Sequence, residues 1–244
     1  MQALLLCVAL VCCAVLPSRA ETIIMGAEDD WAPYSSVVNR AAHGFAVDVV
    51  REAYGAVGIT VNFEVLPYVR CLAETKAGRL VGCFDAVPNS MIGASYLWHA
   101  QPLFTTHMNV YALAASGESG LTATSLEGKT VGVARDYEYG DEFDLNTKIV
   151  RKVVDKNEHG FKMLLAKRIQ YMAAEERIAK ALFIKYPAMF GGKFKMVGTV
   201  ATPGLFIAFS KSSPDGAKYL EKFNQGYTII RNNGRYKAIE AIWF

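Results

Sequence analysis

Asp85 is the residue whose setting most demands a chemical reason, because it sits late in an apolar run, Leu80 to Val87, that reads as a β-strand. Strands of a parallel sheet aim their carboxyl ends at a cleft, and an acid placed there needs a partner. That partner is either a ligand cation or Arg70, one turn into the helix expected over Tyr68 to Ala77. Asp85 and Arg70 are therefore ligand groups or a structural ion pair. Arg135, Tyr137 and Glu138 follow a second strand, Thr130 to Ala134, from which they point toward the same cleft. Arg135 and Tyr137 are candidate ligand contacts, with a solvated loop charge as the alternative for Arg135. Asn89, just past the first strand, is a candidate donor or acceptor at the cleft edge. These residue types bind rather than react. The chain contains no G-x-S-x-G, H-E-x-x-H or Cys-x-x-Cys motif, and His43, His99, His107 and His159 are scattered. No catalytic set, metal or cofactor is expected.

The elements that must position these groups begin after a leader. Residues 1–20 hold an apolar run from Ala3 to Leu16, a break at Pro17 and the ending Ser18-Arg19-Ala20, which reads as a secretory signal peptide cleaved before Glu21. No later run is long and apolar enough to span a bilayer, so a soluble exported protein is expected. Removing Arg19 takes the formal charge from +3 to +2, with both signs mixed along the chain and no basic stripe. Nucleic acid is therefore not an expected partner. Cys71 and Cys83 are the two cysteines beyond the leader. In an oxidising compartment they are a disulfide candidate, the alternative being two small buried hydrophobes. Cys71 lies seven residues above the helix stop at Gly78, about 10 Å at 1.5 Å per residue, and Cys83 reaches a similar height on the next strand.

Along the chain, strands and amphipathic helices alternate. Thr22 to Met25 is a strand, Phe45 to Tyr54 a helix, Val61 to Leu66 a strand, Tyr68 to Ala77 a helix and Leu80 to Val87 a strand. Such alternation argues for a mostly parallel α/β sheet. Met108 to Ala115 is a further strand, after which Ser116-Gly117-Glu118-Ser119-Gly120 breaks the pattern like a linker. A second unit follows, with the strand Thr130 to Ala134, helices near Leu145 to Asp155 and Phe161 to Lys167, a strand at Arg168 to Ala173 and a helix at Glu176 to Lys185. A strand at Leu205 to Ser210 and helices from Pro214 and from Tyr236 close the chain.

Three stretches together resemble the family 3 extracellular solute-binding proteins, the polar amino-acid receptors of ABC importers. They are Trp31-Ala32-Pro33-Tyr34 before Gly44-Phe45-Ala46-Val47-Asp48, Ser125-Leu126-Glu127-Gly128-Lys129-Thr130-Val131-Gly132-Val133, and Lys222-Phe223-Asn224-Gln225-Gly226 with Asn233-Gly234 behind. The resemblance implies a periplasmic binding protein type II-like fold, two α/β lobes joined by two crossover strands. Lobe 1 would be 21–116 plus 201–244 and lobe 2 would be 117–200, with crossovers near Ser116 and near Val200 to Gly204. It further implies a monomer in the periplasm that closes around a small polar ligand and presents it to an ABC permease of the inner membrane. A sensory receptor subunit and a periplasmic dehydratase are the alternative uses of such a fold.

The family's carboxylate-clamping arginine falls on Gly93, and its Gly-Thr of the second lobe is replaced by Asp136-Tyr137. Its ammonium-accepting acid has a counterpart in Glu175, which otherwise opens the helix that begins beside it. Trp31 stands where members stack an aromatic ring on the ligand, and Tyr68 opens a helix facing the same cleft. The expected ligand is accordingly an amino acid or related amine or cationic compound, held without the usual carboxylate grip.

Overall fold

The computed structural model describes residues 21–244, and the expected leader lies outside them. Strand β1 (Glu21–Glu28) leads into a small antiparallel sheet of β2 (Asp30–Trp31), β3 (Ser35–Val38) and β4 (Ala41–His43). Helix α1 (Phe45–Gly55), β5 (Ile59–Leu66), α2 (Tyr68–Lys76) and β6 (Gly82–Ala86) follow, and then the short strands β7 (Tyr96–Trp98) and β8 (Phe104–Thr105). The chain continues through β9 (Met108–Leu113), β10 (Thr130–Ala134), α3 (Asp141–Asp144), β11 (Val150–Val154), α4 (Asn157–Leu165) and β12 (Tyr171–Glu175). It ends with α5 (Glu176–Lys185), α6 (Pro187–Phe190), β13 (Phe194–Ala201), β14 (Gly204–Ser210), α7 (Gly216–Asn232) and α8 (Arg235–Trp243).

Two sheets carry the two lobes. The first has the order β5-β1-β6-β14-β7, with β8 also on β14, and the second has the order β11-β10-β12-β9-β13. In each, three neighbouring strands run parallel, and the next strand, β14 or β9, pairs antiparallel with neighbours on both sides. The parallel trios arise because the chain passes through a helix between consecutive strands of each, α1 and α2 in the first sheet and α3 and α4 in the second. Between α1 and α7 the approach is so close that a Cβ on Gly226 would meet the Ala53 carbonyl oxygen at 1.8 Å, so only glycine fits there. Among the described residues no helix is long and apolar enough to cross a membrane.

The two passages between lobes differ from expectation at one end. Strand β9 hydrogen-bonds to β12 and β13, so it belongs to the second sheet, and the first passage falls at Thr106–His107, between β8 and β9, rather than near Ser116. The Ser116 to Gly120 break is a loop inside the second lobe, where it leads from β9 toward β10. An apolar strand and the turn after it look alike whichever sheet receives them, because pairing is decided across the chain. The return passage is Thr202–Pro203, between β13 and β14. The helix expected near Leu145 to Asp155 is instead the edge strand β11, whose β-branched Val150, Val153 and Val154 suit an extended backbone paired to β10. Cys71 and Cys83 are bonded, with Cα atoms 5.8 Å apart, which fastens α2 to β6.

Candidate ligand-binding site

Asp85 enters the cleft through a break in its strand. On β6, Cys83 faces Ala208 and Ala86 faces Phe206, so Phe84 and Asp85 together oppose Ile207 alone. This is a β-bulge, and Asp85 takes its extra turn with φ at 67°, a left-handed conformation that aspartate tolerates better than most side chains. Both carboxylate oxygens are buried and neither has a hydrogen-bond partner. Burial first, and then the neighbouring Glu28, raise the carboxyl well above its ordinary range. An uncompensated acid in such a place is costly unless a ligand completes it.

Around Asp85 the lobes close over a cavity of about 20 Å³, lined from lobe 1 by Glu28, Trp31 and Tyr68 and from lobe 2 by Tyr137 and Glu138. Glu28 is the last residue of β1 and Tyr68 the first of α2, so both stand at the carboxyl edge of the parallel strands. Two hydrogen bonds cross the cleft in opposite senses. Tyr137 Oη of lobe 2 donates to Glu28 Oε1 at 2.7 Å, and Tyr68 Oη of lobe 1 donates to the two oxygens of Glu138 at 3.0 and 3.1 Å. The two tyrosine rings meet edge to face, with centroids 6.2 Å apart. Burial pushes Glu28 up to about 8 against the lowering hydrogen bond from Tyr137. Burial likewise pushes Glu138 up to about 7 against the bond from Tyr68.

The charge of this cavity is one-sided. Three carboxyl groups face it, and no lysine, arginine or histidine lines it. Among the described residues no group of three His, Cys, Asp or Glu is placed to share a metal ion. Aromatic faces of Trp31, Tyr68 and Tyr137 add walls that a cation favours.

Of the eight candidates from the sequence, Trp31, Tyr68, Asp85 and Tyr137 come together here, and the other four stand elsewhere. Arg70 is on the exposed face of α2 and forms no pair with Asp85. Arg135 points to the surface, where Nε bonds Asp155 at 2.9 Å. Asn89 turns its Oδ1 back on its own loop, accepting from the amides of Met91 and Ile92 at 3.0 Å each. Glu175 is the N-cap of α5, accepting from the Ile178 amide at 2.8 Å, from Tyr34 Oη at 2.9 Å and from the Thr106 hydroxyl. Gly93 lies in a short 3₁₀ turn with open space around it, so no side chain stands at the clamp position. Glu28 and Glu138 also line this cavity, Glu28 without having been singled out from the sequence and Glu138 having been placed toward the cleft without a role. The rule that singled out Asp85, an acid at the carboxyl end of a strand, applies equally to Glu28, and Glu138 lies beside Tyr137 in the same loop.

Two α/β sheets, joined by two passages of the chain and closed over a cavity, define a two-lobed binding protein of the periplasmic type. The chain belongs to the bacterial extracellular solute-binding proteins, family 3, whose model it matches over residues 23–244. Solved structures share the fold. An ancestral arginine-binding protein bound to arginine superposes with a TM-score of 0.76 at 19% identity, covering 93% of this chain and 99% of that one. The arginine-, lysine-, histidine-binding protein ArtJ from Geobacillus stearothermophilus gives 0.75 at 18% identity, covering 92% and 95%. A histidine kinase sensor domain with similarity to periplasmic binding proteins gives 0.77 at 20%, covering 93% and 97%. No curated protein matches the chain by sequence.

Proposed function

We propose that this solute-binding protein captures a small organic cation with a primary ammonium group and presents it, unchanged, to an ABC permease of the inner membrane. The observation that carries this reading is Asp85, buried with both oxygens unpartnered beside two further buried carboxyls and no basic group. A primary ammonium brings three N–H donors, which matches Glu28, Asp85 and Glu138 in number and in sign. A free carboxylate on the ligand would meet three acidic side chains and no basic group in this cavity, which argues against the α-amino acids themselves. Membership of an extracellular binding family, together with the expected leader, supports capture in the periplasm.

Thermal unfolding in the presence of methylammonium, longer alkylammonium ions, α-amino acids and dicarboxylates tests the proposal. At a hundredfold excess over Kd a cognate amine adds about 2.7 kcal/mol of stability, which is about 5–10 °C for a chain of this size. Stabilisation by α-amino acids or dicarboxylates with none by any amine would overturn it.

A further inference from the structure

We propose that the ligand is an elongated diamine whose head ammonium sits among Glu28, Asp85 and Glu138 while its chain and second amino group lie in a neighbouring cavity beyond Tyr137, a proposal that rests on the cationic ligand argued above. The first observation is size. The carboxylate cavity, at about 20 Å³, admits one group the size of a water molecule, and an ammonium fills it. The carbon skeleton of any larger amine must lie outside it.

A second interlobe cavity, of about 290 Å³, offers that space, and Tyr137 lines both. The tyrosine whose hydroxyl is fixed on Glu28 is thus shared by both linings, and the proposed chain runs past it from one cavity to the other. Ile178, Ala181 and Leu182 of α5, at i, i+3 and i+4, present one apolar face to the second cavity, the surface a run of methylenes requires.

Its polar groups are mostly committed. Lys156 bridges the lobes to Asp30 at 2.7 Å, Asp155 is held by Arg135, and Glu158 accepts from Lys162. Asn157 is the exception, since its Oδ1 is buried and has no partner. An unpartnered acceptor calls for a donor on the ligand, and Asn157 Oδ1 offers it to an amine at the far end. Lys185, the lysine not paired to an acid, extends over the ring of Tyr186 at 5.2 Å.

Calorimetric titration of the whole protein with methylammonium, butylammonium, 1,4-diaminobutane and 4-aminobutanoate tests the inference, first on the wild type and then on Ala181→Trp. The expected order is 1,4-diaminobutane tighter than butylammonium and both at least about tenfold tighter than methylammonium, the factor that one good additional contact supplies. Ala181→Trp fills the second cavity and leaves the first intact. It should lower the affinity for 1,4-diaminobutane about tenfold or more while methylammonium stays within about twofold. Equal affinities across chain lengths in the wild type would overturn the second cavity without touching the head-group site, and they need no variant to fold. Tighter binding of 4-aminobutanoate than of 1,4-diaminobutane would overturn the amine at the far end. Failure of every amine, methylammonium included, would instead overturn the cationic ligand on which the proposal rests.

Discussion

Asp85 and Glu175 are both buried acids, 5% and 3% exposed, one in each lobe, yet their surroundings are opposite. Glu175 receives hydrogen bonds from the start of its own helix, from Tyr34 of the other lobe and from Thr106 in the passage between lobes. Every demand that burial makes on it is met from within the chain, so it ties the lobes together near the hinge. Asp85 has the same charge and the same burial but no donor at all, and its backbone is turned into the left-handed region to aim it at the cavity. Partnering, rather than burial, separates a structural acid from one kept for a ligand.

The largest expected effect tests the structural side of that contrast. Glu175→Ala removes a helix cap and strands two buried hydroxyls, so urea denaturation should show a loss of about 3–5 kcal/mol. Asp85→Ala, losing no bond, should leave the ligand-free protein at least as stable as the wild type, and equal losses in both variants would erase the distinction. Next comes the functional side. Asp85→Asn should weaken binding of the amine about 100-fold, or about 2.7 kcal/mol, by calorimetric titration.

Acidity should move the two properties in opposite directions. Glu28 and Glu138, raised by burial to about 8 and about 7, lie above their ordinary value of 4.5. Groups with raised values favour the ligand-free closed form fully below about pH 4.5, and that contribution is lost progressively as pH rises from there to about 7 to 8. A bound ammonium requires them ionised, so its affinity should climb over the same interval, by up to about tenfold per pH unit for each proton released. Titrations in buffers of different ionisation enthalpy would count those protons, and a pH-independent affinity would show that the amine does not displace them. The smallest effects belong to Arg70→Ala and Arg135→Ala. Both side chains are exposed, so each should change stability by no more than about 0.5 kcal/mol and leave amine affinity within about twofold.

Much of this architecture is legible in the chain. The alternation of apolar strands with helices such as Glu176 to Lys185 reflects local periodicity, and the disulfide follows from two cysteines at matched heights on adjacent elements. Local pattern failed where partners are distant. Val150 to Val154 reads as part of a helix until β10 is alongside, and β9 falls to the first lobe until β12 and β13 flank it. The site shows the same division. Asp85, Trp31, Tyr68 and Tyr137 could be nominated from strand ends and family positions, but Glu28 and Glu138 join them in one cavity only when the lobes bring each opposite a tyrosine of the other.

The sequence by itself determined the class of protein, the absence of the family's arginine at Gly93 and the presence of an acid that its own strand cannot satisfy. Those are properties of residue type and local spacing. Tertiary structure alone decided that Arg70 and Arg135 turn away to solvent, that Glu175 is consumed by the hinge, and that three carboxyls converge without a counter-charge. The reason is physical. Whether a buried acid is satisfied depends on groups more than a hundred residues away, such as Tyr137 for Glu28, and only the closing of the two lobes sets those distances.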